Sequence, residues 1–198
     1  MGNEWRADRY YARAMQEGYR SRAAYKLLEI EKRFSIIRDD DTIVDLGASP
    51  GSWLQVAREL SGGTIVGVDL SFIAPLERVI TIQGDFTETE VRERILDAVG
   101  VASVILCDAS PKLSGQKSYD QARAMDLAES ALNFARRTLK PGGNFVIKAF
   151  QGELFDLFLA RVKEHFRSVR VYRSRATRRG SAEVYIIAKN FREDHGEA

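Results

Sequence analysis

The sequence predicts a doubly wound α/β sheet that is mostly parallel, with an antiparallel last strand and helices on both faces. Short runs of β-branched and other apolar residues alternate with helical segments of about ten residues or more, which is typical of right-handed crossovers between parallel strands. The last two runs are separated only by the loop from Arg173 to Ala182. A parallel pair needs a longer crossover, so the final strand is expected to run antiparallel.

The individual elements follow from local patterns. A helical segment is predicted from Tyr10 to Phe34, with Ser21 as a candidate cap. Five parallel strands are predicted at 42–46, 64–69, 79–82, 102–106 and 145–150. Helices are predicted at 52–60, 88–99, 120–139 and 154–166, and the last two strands at 168–172 and 183–188.

Composition sets the broad class of the protein. The chain has 198 residues, of which 44% are hydrophobic and 29% charged, which predicts one globular domain over residues 1–198 that begins with a helical segment of about 1–38. No apolar run approaches the ~20 residues of a membrane helix, and the N-terminus lacks the apolar region of a secretory signal. A cytoplasmic protein is therefore expected. With one cysteine and two histidines, neither a disulfide framework nor a metal site is predicted.

The positive charges are unevenly distributed, although the net charge is only +2. Arginine and lysine concentrate in segments 6–33 and 167–179, whereas 85–97 is acidic. A single run of charge often forms a solvated helix face. Two arginine-rich segments favour a polyanionic partner, because clustered guanidinium groups bind phosphates. These two segments therefore favour a nucleic acid as partner.

Polar residues are predicted to converge at one edge of the sheet. Ligands of doubly wound sheets bind beyond the carboxyl ends of the strands. The residues expected there are the glycine loop 45–53, Asp69, Asp85, Asp108, Lys148 and Glu183. Any one aspartate after a strand can be a turn or a helix cap. Lys148 lies inside an apolar strand, where burial without a partner is costly, and is predicted to be a pocket residue.

The glycine loop predicts a nucleoside ligand without a diphosphate. Its two glycines, Gly47 and Gly51, are separated by three residues, unlike the G-x-G-x-x-G pattern that holds a pyrophosphate. Asp69 follows about 22 positions after Gly47, which suits an acceptor for both ribose hydroxyls of an adenosine group.

Five segments together resemble one known family. They are Arg20-Ser21-Arg22-Ala23-Ala24-Tyr25-Lys26-Leu27, Asp45-Leu46-Gly47-Ala48-Ser49-Pro50-Gly51-Ser52-Trp53, Asp108-Ala109-Ser110-Pro111-Lys112-Leu113-Ser114-Gly115, Phe145-Val146-Ile147-Lys148-Ala149-Phe150-Gln151-Gly152 and Glu183-Val184-Tyr185-Ile186. Their order is similar to that of the FtsJ/RrmJ family of RNA ribose 2′-O-methyltransferases, from about Tyr10 to Lys189. The resemblance implies a Rossmann-like methyltransferase sheet and S-adenosylmethionine as cofactor. It implies catalytic residues at Lys26, Asp108, Lys148 and Glu183, and cofactor contacts at Gly51, Trp53, Asp69, Asp85 and Asp108.

The chemistry of ribose methylation suits these residue types. Lys148 is expected to be the base if desolvation and the nearby cation Lys26 lower its pKa. Asp108 would hold the base, and Glu183 would fix the lysines or the substrate ribose. Lys26 would alternatively stabilise the developing alkoxide. No metal is required.

The substrate within this class is less sharply specified. Phe150-Gln151-Gly152 resembles the branch that acts on ribosomal RNA, whereas that branch usually has asparagine where this chain has Lys112. Ser52 in the glycine loop is shared with the branch that acts on tRNA. We expect a monomer that methylates large-subunit ribosomal RNA, free or in a ribosomal particle. The alternatives are a tRNA methyltransferase, a small-molecule or nicotinamide enzyme, and a non-catalytic RNA-binding protein.

Overall fold

The computed structural model describes residues 9–111, 114–178 and 180–192. Lys112 lies outside these residues, as do Arg6 and Arg179 at the ends of the two arginine-rich segments. The strands are β1 (Ile43–Leu46), β2 (Ile65–Asp69), β3 (Ile80–Gln83), β4 (Ala102–Cys107), β5 (Leu139–Phe150), β6 (Phe166–Tyr172) and β7 (Glu183–Phe191). The helices are α1 (Arg9–Glu17), α2 (Ala24–Phe34), α3 (Ser52–Leu60), α4 (Thr89–Val99), α5 (Lys117–Thr138) and α6 (Phe155–His165).

The strands form one sheet with the order β3-β2-β1-β4-β5-β7-β6. Strands β1 to β5 pair in parallel, whereas β7 is antiparallel to both β5 and β6. This arrangement confirms the predicted fold class. Glu183 pairs with Phe150 and Tyr185 pairs with Lys148, so the first residues of β7 lie at the carboxyl end of β5.

Helices cover both faces of the sheet because successive residues of each strand point to opposite sides. On β1, Val44 packs into a core with α4, α5 and α6, whereas Ile43 packs into a second core with α1, α2 and α3. Both side chains are fully buried. No helix in the described part of the chain is long and apolar enough to cross a membrane.

The predicted N-terminal helix is in fact two helices. The helix ends after α1 because Gly18 has a φ of +79°, a backbone conformation that favours glycine. The prediction that Ser21 caps the helix was wrong, because α2 begins after Ala23 without a side-chain cap. The Ser21 hydroxyl instead lies 2.8 Å from that of Ser52, and it accepts the Ala23 N–H.

Several other boundaries differ from the predictions. Strand β5 begins at Leu139, six residues before the predicted start at 145 and at the last residue of the helix predicted over 120–139. Its pairing with β4 shifts register between Ala102 and Val104, and this irregularity accommodates the extra residues. Strand β7 continues to Phe191, three residues beyond the predicted end at Ala188, because it pairs with the whole of β6.

Candidate active site at the carboxyl edge of the sheet

A cavity of about 870 Å³ lies at the carboxyl edge of the sheet. Its walls include the predicted residues Asp69, Asp85 and Asp108, together with Gly47 of the glycine loop. Residues from α5 close it on another side. The other two predicted cofactor contacts, Gly51 and Trp53, belong to the last part of the glycine loop, where they are buried and do not line this cavity.

The glycine loop is held in a conformation that requires glycine. Gly47 has a φ of +79°, and a Cβ atom there would lie 2.6 Å from the Cα of Ala109. Behind the loop, the indole N–H of Trp53 donates to the carbonyl oxygen of Ala23, 2.8 Å away. Trp53 therefore ties the first turn of α3 to the start of α2, which carries Lys26.

Asp69 and Asp85 are both oriented by short hydrogen bonds. The two carboxylate oxygens of Asp69 accept the backbone N–H groups of Ser49, at 3.0 Å, and Ser71, at 2.8 Å. One oxygen of Asp85 accepts both the N–H and the hydroxyl of Thr87, at 2.8 and 2.7 Å. These bonds fix the directions in which the carboxylates face the cavity.

The four predicted catalytic residues form two close ion pairs. Lys148 Nζ lies 3.4 Å from Asp108 Oδ1 and donates to the Asp108 carbonyl oxygen at 2.6 Å. Lys26 Nζ lies 2.7 Å from Glu183 Oε1. All four side chains are at most 18% exposed, so these interactions are only weakly screened by solvent.

The environment of Glu183 favours its charged form. Burial raises the pKa of this carboxyl, but the charge and hydrogen bond of Lys26 outweigh it, with help from Lys148 and the Thr177 hydroxyl. The net result is a pKa below the ordinary value for glutamate. Glu183 is thus a stable anion at the edge of the site.

Tyr185 connects the two ion pairs and was not predicted. Its hydroxyl donates to Asp108 Oδ1 at 2.6 Å and lies 3.4 Å from Glu183 Oε1. Burial, followed by the charges of these carboxylates, raises the pKa of the phenol well above its ordinary value. Tyr185 is therefore a permanent donor to the site. The sequence feature that could have indicated Tyr185 is its position two residues after Glu183. This spacing places both side chains on the same face of β7.

Asp45, the first residue of the glycine-loop segment, is buried beneath the site. Neither of its carboxylate oxygens has a hydrogen-bond partner among the residues that the structure describes. Burial, together with the charges of Asp108 and Asp69, raises its pKa well above the ordinary value. Burial and the neighbouring carboxylates thus favour the neutral form of Asp45.

Arg20 is a further residue that sequence reasoning did not place in the site. Its guanidinium donates to the carbonyl oxygens of Pro50 at 2.9 Å, Ala74 at 2.6 Å and Pro75 at 2.8 Å. It therefore joins the glycine loop to the loop that follows β2. Arg20 is the first residue of the motif that contains Lys26, which was a reason to consider it. A sequence alone does not show which backbone carbonyl oxygens an arginine contacts.

Comparisons with known proteins agree with this geometry. A family model described as FtsJ-like methyltransferase matches residues 19–191. The chain is 64% identical over 193 residues to a ribosomal RNA large subunit methyltransferase E of Methanoculleus marisnigri, covering 97% of this chain and 95% of the relative. The protein with the same name from Methanosphaerula palustris is 58% identical over 197 residues, covering 100% of this chain and 97% of the relative.

A solved structure shows the same architecture. A Plasmodium falciparum protein assigned as a ribosomal RNA methyltransferase superposes with a TM-score of 0.78 at 28% sequence identity, covering 87% of this chain and 98% of that one. The matched family segment contains both ion pairs and the whole glycine loop. The chain belongs to the FtsJ-like methyltransferase family.

Proposed function

We propose that this protein transfers a methyl group from S-adenosylmethionine to the 2′-hydroxyl of a ribose, in a uridine of large-subunit ribosomal RNA. The observation that carries the proposal is the pair of lysine–carboxylate contacts beside a cavity with two oriented aspartates. The family supports the reaction class. The names of the relatives from Methanoculleus marisnigri and Methanosphaerula palustris support ribosomal RNA as substrate.

The residues of the cavity suit S-adenosylmethionine. Asp69 would accept the ribose hydroxyls, since each of its oxygens accepts only one backbone N–H in the hydrogen bonds described above and a carboxylate oxygen has two lone pairs. Asp85 would accept the adenine amino group, and Asp108 the methionine ammonium. Gly51 and Trp53 would support the part of the glycine loop that lines the cavity. When bound, the cofactor supplies a methyl group on a positively charged sulfur.

Lys148 is proposed to be the general base. In its neutral form, its Nζ would accept the proton of the ribose 2′-hydroxyl, which makes that oxygen a better nucleophile. The Asp108 carbonyl oxygen and carboxylate hold this nitrogen at 2.6 and 3.4 Å, and so set its direction. Most of the rate would come from positioning the hydroxyl against the methyl group.

Lys26 and Glu183 are proposed to act on the acceptor side. The ammonium of Lys26 would stabilise the negative charge that develops on the ribose oxygen. Glu183 orients Lys26 through their 2.7 Å contact, and its lowered pKa keeps it anionic. A carboxylate and an ammonium in this arrangement would also position the ribose hydroxyls.

The arginine-rich segments 6–33 and 167–179 are proposed to bind the RNA backbone. Their members have different surroundings. Arg13 pairs with Glu17, and Arg20 is engaged with backbone carbonyls, so these two also have local roles. The exposed arginines of the second segment that the structure describes are Arg167, Arg170, Arg173, Arg175 and Arg178.

Charge reversal of Arg173, Arg175 and Arg178 to glutamate is expected to weaken RNA binding. It should also flatten the salt dependence of binding, because fewer counterions are released when fewer phosphates are neutralised. RNA affinity measured over a series of salt concentrations tests this. The control for net charge reverses three exposed basic residues elsewhere, on α4, α5 and α6: Arg94→Glu, Arg137→Glu and Lys163→Glu. An unchanged slope in the triple variant would remove these arginines from the RNA interface.

Mapping 2′-O-methylation in total RNA, with and without the protein, tests the substrate. A protein-dependent methyl group in large-subunit ribosomal RNA is expected. One in tRNA instead would overturn the ribosomal assignment, and none in any RNA would contradict the proposed activity. Titration with S-adenosylmethionine and with a nicotinamide dinucleotide separates the two cofactor classes.

We also propose that the enzyme acts as a monomer in the cytoplasm. Both ion pairs and the described walls of the cavity form between residues of the same chain, which supports a site built within a single copy. A ribosomal RNA substrate would be met where ribosomes are assembled.

A further inference from the structure

The loop between β6 and β7 is fastened to α2 by a single carboxylate oxygen. We call residues 173–182 the arginine loop, since it carries the exposed Arg173, Arg175 and Arg178. At its beginning, Glu29 Oε2 accepts hydrogen bonds from the Ser174 hydroxyl at 2.7 Å, the Arg175 N–H at 2.8 Å and the Tyr172 hydroxyl at 3.2 Å. Three donors on one oxygen hold this backbone in one conformation.

The arginine loop also contacts the proposed catalytic residues. The Thr177 hydroxyl donates to Glu183 Oε1 at 3.0 Å, and the same oxygen pairs with Lys26. Lys26 and Glu29 are three residues apart on α2, so they lie on the same side of the helix. One face of α2 therefore contacts both ends of the arginine loop. Glu29 binds residues near its start, and Lys26 binds Glu183, the residue directly after its end.

We propose that Glu29 is a positioning residue for the RNA substrate. Its carboxylate holds the arginine loop so that the loop arginines contact the RNA backbone at a fixed position relative to the Lys26–Glu183 pair. The inference rests on the proposed RNA substrate. Glu29 is half-buried and its hydrogen bonds are made to the loop, so it acts through Ser174 and Arg175 rather than on the RNA.

The physical reason is the entropy of binding. An anchored loop presents its arginines in one arrangement, whereas a released loop must be ordered when RNA binds, which weakens the affinity. The 2.7 Å contact between Lys26 and Glu183 is made directly by these two side chains, so the chemical step would be largely preserved. Loss of Glu29 should therefore raise KM for RNA much more than it lowers kcat.

Three substitutions test this role in the full-length protein. Glu29→Ala is expected to raise KM for RNA about tenfold, equivalent to about 1.4 kcal/mol, and to flatten its salt dependence. The cofactor affinity should stay at the wild-type value, and kcat within about threefold of it. Glu29→Gln keeps an acceptor oxygen and should restore most of the RNA affinity. Tyr172→Phe removes one donor and should have a smaller effect, not additive with Glu29→Ala.

Glu93→Ala, at an exposed position on α4, is the matched control and should leave KM for RNA unchanged. Wild-type KM and salt slope in Glu29→Ala would overturn the inference. A fall in kcat and cofactor affinity equal to the rise in KM would also overturn it, because that pattern indicates general damage to the fold. If Glu29→Ala fails to fold, the test is the KM for RNA of Tyr172→Phe. An unchanged KM in that variant would contradict the positioning role of Glu29. Failure of the proposed function itself is distinguishable, since the wild-type protein would then methylate no RNA.

Discussion

Replacing Lys148 with alanine is expected to abolish methyl transfer while cofactor binding stays near the wild-type value. The side chain is proposed to take the proton of the ribose hydroxyl, and loss of a general base typically costs about 10² to 10⁴ in rate. Lys148 contacts Asp108, which lines the cavity proposed for the cofactor, but Lys148 itself does not line that cavity. Single-turnover methylation and a cofactor titration measure the two quantities separately.

Lys148→Arg distinguishes a base from a fixed positive charge. An arginine can keep the ion pair with Asp108, but its guanidinium stays protonated. We therefore expect this variant to be as inactive as the alanine variant. Lys163→Ala, at an exposed position on α6, is the control for loss of a lysine. Substantial activity in either Lys148 variant would remove this residue as the base.

Asp69→Ala is expected to weaken S-adenosylmethionine binding by about 100-fold or more, because hydrogen bonds to a charged acceptor contribute about 1.5–3 kcal/mol each. Two ribose hydroxyls would lose their acceptor. The Ser49 N–H would also lose the carboxylate that holds the glycine loop. Isothermal titration gives the affinity, and kcat at saturating cofactor should fall much less than the affinity does.

Asp69→Asn keeps one acceptor oxygen, so its cofactor affinity should fall between those of the wild type and the alanine variant. Asp97→Ala, on α4, controls for the loss of an acidic residue. Wild-type affinity in Asp69→Ala would mean that the adenosine group lies elsewhere in the cavity. The assignment of Asp85 to adenine would then also need revision.

The convergence of the site could be predicted from the sequence because the sheet is regular. Parallel strands bring their carboxyl ends to one edge, so Asp69, Asp85 and Asp108 had to lie at the same edge once the strands were recognised. The reversed direction of the last strand added Glu183 to the same edge. Strand direction alone was sufficient for these residues.

The remaining features depend on contacts between distant parts of the chain. Glu29 reaches a loop about 145 positions later, and Arg20 reaches carbonyl oxygens on two loops. Neither partner is specified by periodicity or spacing. Tyr185 was not predicted for another reason: a tyrosine in a buried strand is usually part of the hydrophobic core. The break at Gly18 was missed because the apolar pattern continues across it.

The sheet order has a consequence for redesign of this enzyme. The residues proposed to hold the methyl donor lie on the β1–β3 side, whereas Lys148 and Glu183 lie on β5 and β7. Asp108 follows β4, between the two halves, and both lines the cavity and contacts Lys148. A chimera that exchanges β5 to β7 and their loops for those of a relative would therefore replace Lys148, Glu183 and the arginine loop, and keep the residues proposed to hold the donor. Asp108 is the residue that such a graft has to retain.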